Sequence, residues 1–267
     1  PGWDMRRFKE IQRRWYRGLW GKGTYAQFLN NHDHTRQVTR YGNDGPWRVQ
    51  SAKLLATMLH TLPGIPCVYQ GEEIGMTGLR FDSIDQYNDI AMKNRYEEEV
   101  RKGRDPREVL RSLQPLSRDN SRTPMQWDDS PNAGFTTGTP WIGVNPNYKE
   151  INVKKDLASP DSIYRYYQRL IRLRKEHDVM VYGDFSELPE WMDDEHLYVY
   201  TRTLGDDGWL VVLNHSDEPR GMTLPAGWRD RPRRLLLGNY PDSGADSGER
   251  LALRPHEARI YAVGRAG

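Results

Sequence analysis

The residues best suited to chemistry form the polar run NNHDHTR at residues 30–36, which ends the apolar segment TYAQFLN. A carboxylate such as Asp33 accepts two hydrogen bonds, the neighbouring His32 donates one, and Arg36 adds a cation three residues later. These groups together can grip two neighbouring hydroxyls of a sugar. The same residue types also occur in solvated loops, so the run alone leaves both interpretations open.

A second polar cluster, YQGEE at residues 69–73, follows the apolar segment IPCVYQ. The paired glutamates Glu72 and Glu73 suggest an acid and a base. Neighbours at the end of an extended strand point in opposite directions, however, which argues against joint acid–base work. We therefore expect at least one of the two to be structural.

The third cluster is SRDNSRTPMQW at residues 117–127. Arg118 and Arg122 with an intervening aspartate predict an ordered, hydrogen-bonded loop. Trp127 and Trp141 could stack on a sugar face. The alternative is a loop held only by its own salt bridges.

The elements that must position these clusters alternate in type. A helix is predicted over residues 5–20 and another over 48–62, which ends at Pro63-Gly64,. Each precedes a short strand and then a polar cluster, an order that predicts parallel strands with crossover helices and chemistry at the strand ends. Two such strands have open edges and do not make an independent sheet. The predicted apolar stripe of the first helix is Met5, Phe8, Ile11, Trp15 and Leu19.

The remaining chain divides into two parts. Residues 77–160 are loop-rich, with one helical stretch near 88–116. A helix over 159–177 is expected to be capped by Ser159 or Asp161 and to bury a stripe that includes Ile171,. From residue 178 onwards, short β-type runs separated by turn signals predict a small antiparallel sandwich. We therefore predict two domains, 1–177 and 178–267. The β-type runs are 196–204, 208–216, 233–240 and 258–264.

Composition excludes several classes of protein. The 267 residues carry 39 Lys and Arg against 37 Asp and Glu, a balance that argues against a nucleic-acid binder,. No apolar stretch approaches the roughly 18 residues of a membrane span. The single cysteine, Cys67, is expected to be buried, and His32 and His34 lack an evident third ligand. Nucleotide-binding glycine loops and the HExxH and GxSxG motifs are absent, so we expect no metal and no cofactor.

Five segments together resemble glycoside hydrolase family 13, the α-amylase family, and within it the oligo-1,6-glucosidase and α-glucosidase branch. They follow one another in the family's order, cover about residues 5–182, and are more specific together than any one alone. The last predicted domain resembles the C-terminal domain of the same family. The segments are FLNNHDHTRQVTRYGND, SAKLLATMLHTLPGIPCVYQGEEIGM, SRDNSRTPMQWDDSPNAGFTTGTPW, VNPNYKEINV and YYQRLIRLRKEH.

The resemblance implies a retaining hydrolase of α-glucosidic bonds built on a (β/α)₈ barrel. It assigns Asp33 as the carboxylate that stabilises the transition state and His32 as its substrate-binding neighbour. By the same similarity Arg118 and Arg122 would reach the same sugar ring, and Arg36 would support the floor of the pocket. Glu72 and Glu73 resemble structural residues of the family's strand-eight motif.

The chain departs from the family pattern in what precedes these motifs. The family's nucleophile and general acid lie on strands four and five, and this sequence contains neither motif; only 29 residues precede Asn30. We therefore expect strands seven and eight of the barrel with their helices, followed by the sandwich, and no activity from this chain alone. The chain begins with Pro1, which suggests a fragment, and its open strand edge predicts pairing with the absent barrel half or self-association.

Several readings of the function stay open at this point. The preferred one is an α-glucosidase part acting on α-1,6 or α-1,4 bonds of short oligosaccharides, with trehalose-6-phosphate hydrolase and sucrose isomerase as alternatives within the family. A non-catalytic carbohydrate-binding piece or a structural remnant of a split gene is the alternative outside it. The coding frame upstream of Pro1 would discriminate between them. The lone cysteine and the lack of a signal peptide predict a cytoplasmic location.

Overall fold

A computed structural model describes residues 3–243 and 248–264, which form two compact units. The first unit comprises residues 1–27, 41–67 and 166–267, and the second comprises 28–40 and 68–165. Both units are discontinuous along the chain, and the domain boundary at 177–178 stays a prediction.

The α-helices are α1 (Met5–Leu19), α2 (Gln37–Tyr41), α3 (Arg48–Thr61), α4 (Ile90–Arg101), α5 (Pro106–Leu113), α6 (Asp119–Arg122), α7 (Val153–Ala158), α8 (Ile163–Glu176), α9 (Val179–Tyr182) and α10 (Ala226–Arg229). The strands are β1 (Ala26–Gln27), β2 (Ile65–Pro66), β3 (Asp184–Glu187), β4 (Leu197–Leu204), β5 (Asp207–Asn214), β6 (Arg220–Thr223), β7 (Arg233–Gly238), β8 (Arg250–Leu253) and β9 (Ala258–Val263).

Helix α1 lies where the sequence predicts it but buries a different face. Of the predicted apolar stripe, Met5 is buried, whereas Trp15 is 51% exposed. The other buried positions are Lys9 and Gln12. Burial of Lys9 is possible because its Nζ donates to three main-chain carbonyls in residues 191–197, at 2.7–2.8 Å,. The apolar pattern thus identifies the helix and not its contact face.

Strands β1 and β2 are parallel, as the alternation of elements predicts, and pair Ala26 with Ile65. Each strand is only two residues long. The prediction that Cys67 is buried is wrong: Cys67 is exposed, and Ile65, the first residue of β2, is 54% exposed. The reason is that β1 and β2 form a sheet of two strands within the described part of the chain, so nothing covers its apolar side chains.

Helix α3 supplies the crossover between β1 and β2 and is buried over most of its length. It ends before Pro63 and Gly64, as predicted. His60 lies near its end, with Nδ1 2.9 Å from the carbonyl oxygen of Ala56 and its ring edge-on to Tyr167. No helix in residues 3–243 and 248–264 combines the length and apolar character that a bilayer span requires.

An antiparallel sheet of order β3-β4-β5-β9-β7 and the antiparallel pair β6-β8 make up the predicted sandwich. The four predicted β-type runs are confirmed as β4, β5, β7 and β9. Strands β3, β6 and β8 escaped prediction because each has only four residues, too few to give the longer β-type run seen in the other strands. The core consists of Leu188, Leu197, Val199, Leu210, Val212, Met222, Leu224, Leu251, Leu253, Tyr261 and Val263.

The second unit is loop-rich, as predicted, but its helical stretch is divided. Helices α4 and α5 replace the single stretch expected near 88–116. The break occurs where Gly103 adopts φ +89°, and Asp105 then caps α5 by accepting from two main-chain N–H groups,. The unit's larger core consists of Leu79, Phe81, Tyr87, Met92, Val109, Leu110, Leu113 and Ile142.

Helix α8 begins four residues later than predicted. Ser162 Oγ accepts from the backbone N–H of Arg165 at 3.1 Å, so Ser162 rather than Ser159 or Asp161 sits at the start of the helix,. The predicted apolar stripe is wrong at Ile171, which is 40% exposed.

The buried imidazole of His60 predicts a specific loss of stability in acid. Burial lowers the pKa of His60 from 6.5 to about 4. The unfolded chain therefore binds the proton first as the pH falls, so stability that is complete above pH 6.5 is lost progressively toward pH 4. We expect about 2 kcal/mol of this loss by pH 5. Urea unfolding at pH 7.5 and pH 5 measures it.

The variant His60→Gln should lose markedly less stability than the unaltered chain over the same interval. The matched control is His34→Gln, because His34 is exposed. It should keep the full pH dependence. Equal pH dependence in the unaltered chain and His60→Gln would contradict the assignment to His60.

Candidate functional site

Residues 31–34 form a tight turn that presents two side chains to solvent. Asn31 Oδ1 accepts from the backbone N–H of Asp33 at 2.8 Å, and Asn31 and His34 are bridged across the turn. His32 and Asp33 occupy the tip, where their side chains are 67% and 47% exposed. The Asp33 carboxylate is therefore accessible and fixed at its backbone.

Both oxygens of the Asp33 carboxylate have a neighbour that orients them. Arg122 Nη2 donates to Asp33 Oδ1 at 2.8 Å, while His32 Nε2 lies 3.2 Å from Oδ2. Arg122 also donates from Nε to the carbonyl oxygen of His32 at 2.8 Å. Each carboxylate oxygen can accept further hydrogen bonds. The arrangement is therefore suited to accepting from two hydroxyls of one ligand.

Three segments that are distant in sequence meet at this turn. Ser121 Oγ donates to the carbonyl oxygen of His34, and the Tyr69 hydroxyl donates to the carbonyl oxygen of Ser121 at 3.0 Å. The polar clusters at 30–36, 69–73 and 117–127 therefore belong to one hydrogen-bonded assembly within the second unit.

Arg36 lies entirely below the surface, with no exposed area. Its guanidinium sits 5.4 Å from the centre of the Tyr69 ring, and Nη1 donates to the carbonyl oxygen of Gln70. Burial lowers the pKa of Arg36 to about 10, against the opposing influence of Tyr69, Glu73 and Glu72. Arg36 is thus a cation at neutral pH that supports the 69–73 segment from a fully buried position.

The two glutamates of the second cluster lie on a short 3₁₀ helix, Glu72–Ile74, and not at an extended strand end. Glu72 is 1% exposed and accepts from the backbone N–H of Tyr69 at 3.3 Å. Burial raises the pKa of Glu73. Glu72 has the structural role expected for one member of the pair.

Arg118 does not join Asp33 but binds Asp89 instead. Its Nη2 and Nε donate to Asp89 Oδ1 at 2.8 and 3.2 Å. Burial acts to raise the pKa of Asp89, but the hydrogen bonds from Arg118 outweigh it and lower that pKa. The Arg118 side chain remains 38% exposed. The two arginines of the third cluster therefore have separate partners.

Two tryptophans of the second unit are exposed. Trp127 is 50% and Trp141 is 70% exposed. The backbone N–H of Trp127 donates to the carbonyl oxygen of Ala133, in a turn where Asn132 and Ala133 both adopt positive φ. Across the part of the chain that the structure describes, no three His, Cys, Asp or Glu side chains are arranged to hold a metal ion.

Family-level sequence comparison accounts for nearly the whole chain. Residues 2–183 match the α-amylase catalytic domain, and residues 191–260 match the maltogenic amylase C-terminal domain. The chain belongs to the α-amylase family.

Relatives within the α-amylase family are similar over this whole chain. It is 50% identical to an oligo-1,6-glucosidase of Parageobacillus thermoglucosidasius, a match covering 98% of this chain and 46% of that protein. A crystal structure of trehalose-6-phosphate hydrolase from Bacillus licheniformis superposes with a TM-score of 0.94 at 40% identity, covering 99% of this chain and 48% of that one. An isomaltulose synthase from Erwinia rhapontici gives a TM-score of 0.91 at 38% identity, covering 99% and 47%. The chain thus spans about half the length of these relatives.

The family assignment explains the incomplete sheet. The parallel pair β1 and β2 with its helices is the part of a (β/α)₈ barrel that carries strands seven and eight, and the antiparallel sandwich is the family's C-terminal domain. In a closed barrel every strand pairs on both sides. Ile65 and Cys67 are exposed at this two-stranded pair of the α-amylase-family chain.

The structure brings together some of the sequence-predicted site residues and separates others. Asp33, His32 and Arg122 are in contact, whereas Arg118 binds Asp89 and Arg36 is buried. Their roles in binding or catalysis stay predictions.

Sequence reasoning missed Tyr69 and Asp89 as the residues that hold these groups in place. An aspartate before the helical pattern of α4 signals a cap, but nothing local signals an arginine 29 positions later. The hydroxyl contact of Tyr69 likewise has no sequence signature.

Gly71 predicts a sharp steric test of the site's support. It adopts φ +86°, and a Cβ there would clash with Met76 Sδ and lie 2.9 Å from Arg36 Nη1. We expect Gly71→Ala to combine backbone strain with overpacking, and so to lower the free energy of unfolding by roughly 1–3 kcal/mol more than strain alone. Chemical denaturation measures the difference.

The matched control for Gly71→Ala is Gly103→Ala. Gly103 has nearly the same backbone angle, φ +89°, but no atom within 4 Å of an added Cβ. Gly103→Ala should lower the free energy of unfolding only by the cost of the strained backbone, about 1–2 kcal/mol. Equal losses in the two variants would contradict the close packing of Gly71 against Arg36.

Proposed function

We propose that this chain is the part of a retaining α-glucosidase that supplies its transition-state-stabilising carboxylate, Asp33. The observation that carries the proposal is the exposed Asp33 carboxylate at the tip of a fixed turn, with Arg122 on one oxygen and His32 on the other. The substrates proposed are terminal α-1,6 or α-1,4 glucosidic bonds of short oligosaccharides.

The geometry suits the chemistry of glycoside hydrolysis. The transition state has oxocarbenium character, and hydrogen bonds to the sugar hydroxyls strengthen as it forms. Asp33 accepts from two hydroxyls of the glucosyl ring, His32 donates to one of them, and Arg122 holds the carboxylate in place. Because the carboxylate is oriented before substrate arrives, its interactions cost little reorganisation in the transition state.

Other carboxylates around the turn have structural partners. Glu72 is buried against the backbone of Tyr69, and Asp89 and Asp119 bind Arg118 and main-chain N–H groups respectively. A retaining mechanism needs a nucleophile and an acid about 5–5.5 Å apart. We place both on the barrel strands that the relatives contain and this chain does not span. The same strands would pair with the open edges of β1 and β2.

The choice of an oligosaccharide substrate rests on the relatives. Identity is 50% to the oligo-1,6-glucosidase, 40% to the trehalose-6-phosphate hydrolase and 38% to the isomaltulose synthase. Trehalose-6-phosphate hydrolysis and sucrose isomerisation are the alternatives within the family. We further propose a cytoplasmic location, because a reducing compartment would keep the exposed thiol of Cys67 free,.

A chimera tests the proposal. This chain replaces the matching part of the Parageobacillus thermoglucosidasius oligo-1,6-glucosidase, and turnover is measured with a chromogenic α-glucoside, isomaltose, maltose, trehalose-6-phosphate and sucrose. We expect no turnover from the chain alone and turnover of the glucoside and isomaltose by the chimera. Asp33→Asn should lower kcat of the chimera by about a hundredfold to a thousandfold, because it removes charge that stabilises the transition state.

The control for Asp33→Asn is Asp105→Asn, an exposed helix-capping residue of the same type. It should leave kcat unchanged. Robust turnover by the chain alone would refute the proposal that the nucleophile and the general acid lie on strands outside this chain. Glu72 and Glu73 would then be the residues to replace.

A non-catalytic carbohydrate-binding role is the second candidate, favoured by the exposed indoles of Trp127 and Trp141,. In this role Trp127, Trp141 and Asp33 hold the sugar, so isomaltose titrated into the chain alone is bound, the affinity falls in both Trp141→Ala and Asp33→Asn, and the chimera shows no turnover. Loss of binding in Asp33→Asn together with an active chimera supports the glucosidase proposal instead.

A further inference from the structure

A single arginine supplies most of the hydrogen bonds to the Asp89 carboxylate. Oδ1 accepts from Arg118 Nη2 at 2.8 Å and Nε at 3.2 Å, and Oδ2 accepts from the backbone N–H of the same residue at 2.8 Å. The Asp89 side chain is 4% exposed. Main chain and side chain of Arg118 are therefore fixed together by hydrogen bonds to a buried carboxylate, and charged hydrogen bonds of this kind are stronger than neutral ones.

A reciprocal contact fixes Asp89 itself. Asp119 Oδ2 accepts from the backbone N–H groups of Asn88 and Asp89 at 2.6 and 3.0 Å, and Ser117 Oγ accepts from the backbone N–H of Asp119 at 3.2 Å. The carboxylate of Asp119 thus holds residues 88–89, and the carboxylate of Asp89 holds Arg118 in return. This clamp gives Arg118 a defined position relative to the rest of the second unit.

The clamp leaves one edge of the Arg118 guanidinium available. Nε and Nη2 face Asp89, and across the described residues Nη1 donates no hydrogen bond to the protein, while the side chain is 38% exposed. The hydrogen bonds that Arg118 donates to Asp89 raise the pKa of Arg118, and the charge of Asp33 adds to the effect. Arg118 directly precedes α6, and Arg122 at the end of that helix binds Asp33, so Arg118 and the partner of Asp33 are about one helical turn apart.

We propose that Asp89 is a positioning residue for the glycosidic reaction, holding Arg118 so that Nη1 donates to an oxygen of the sugar bound by Asp33. The inference rests on the proposed function and adds to it a residue outside the three polar clusters. A long arginine side chain loses rotamer freedom when it binds a ligand, and an arginine already held by a carboxylate has lost that freedom beforehand. Asp89 touches no substrate; it acts through Arg118.

Asp89→Asn separates the clamp from the helix cap. Asp89 also caps α4 by accepting from the backbone N–H of Ala91, a role that asparagine fills equally well,.

The matched control is Asp105→Asn, because Asp105 caps α5 through the N–H groups of Arg107 and Glu108 and, within the described chain, binds no guanidinium. In the chimera we expect Asp89→Asn to lower kcat/KM about tenfold to a hundredfold and Asp105→Asn to leave it unchanged. Equal values for the two variants would overturn the proposal.

Guanidinium rescue distinguishes positioning from a merely structural role. In Arg118→Ala, added guanidinium ion should restore part of the lost turnover, because Asp89 still offers its carboxylate in the vacated space. In the double variant Asp89→Asn/Arg118→Ala the rescue should disappear. Rescue of equal size in both backgrounds would show that Asp89 does not hold the cation.

A measurement on the chain alone separates this inference from the proposed function. In ¹⁵N spectra, the Arg118 Nε–H should exchange slowly in the unaltered chain and in Asp105→Asn, and quickly in Asp89→Asn. Fast exchange in the unaltered chain overturns the positioning of Arg118 even if the chimera is active. An inactive chimera with a slowly exchanging Nε–H overturns the proposed glucosidase function and confirms the clamp.

Discussion

The candidate site depends on the attachment of residues 121–122 to the turn at 31–34. Ser121 donates to His34, and Arg122 donates to both the backbone of His32 and the carboxylate of Asp33. The ion pair is partly exposed, and such pairs contribute only about 0–1 kcal/mol to stability. Its consequence is therefore orientation. Without this attachment, the Asp33 carboxylate would lie in an exposed turn with only His32 beside it.

Two buried cations show how this chain places charge inside its packed units. Lys9 is surrounded by three main-chain carbonyls in the first unit, and Arg36 has one carbonyl and the face of Tyr69 in the second. Burial lowers the pKa of each, to about 8 and about 10 respectively. Buried charge is tolerated only with such partners. Each cation thereby fixes the segment that supplies its acceptors.

The barrel strands and the candidate site differ in how far this chain alone completes them. A pair of two-residue strands is too small to be stable alone, and its apolar side chains stay exposed,. The second unit, by contrast, satisfies much of its polar chemistry internally, through the clamp at Asp89 and the contacts of Tyr69. The groups that we propose to orient the substrate are thus held in place within this chain, while a retaining reaction needs two further carboxylates.

The sequence by itself determined the element types, the parallel pair, most of the sandwich strands and the family, because periodicity, turn residues and motif order are local signals. It also marked Asp33, His32 and Arg122 as candidates. Only the tertiary structure decided that Arg122 binds Asp33 while Arg118 binds Asp89, that Arg36 is buried, and that Cys67 and Ile65 are exposed. The physical reason is that partners 29 to 90 residues apart leave no local pattern. The type of a residue sets only a preference, for burial if it is apolar or for an ion-pair partner if it is charged. The packing of other segments decides whether the residue is buried and which group it binds.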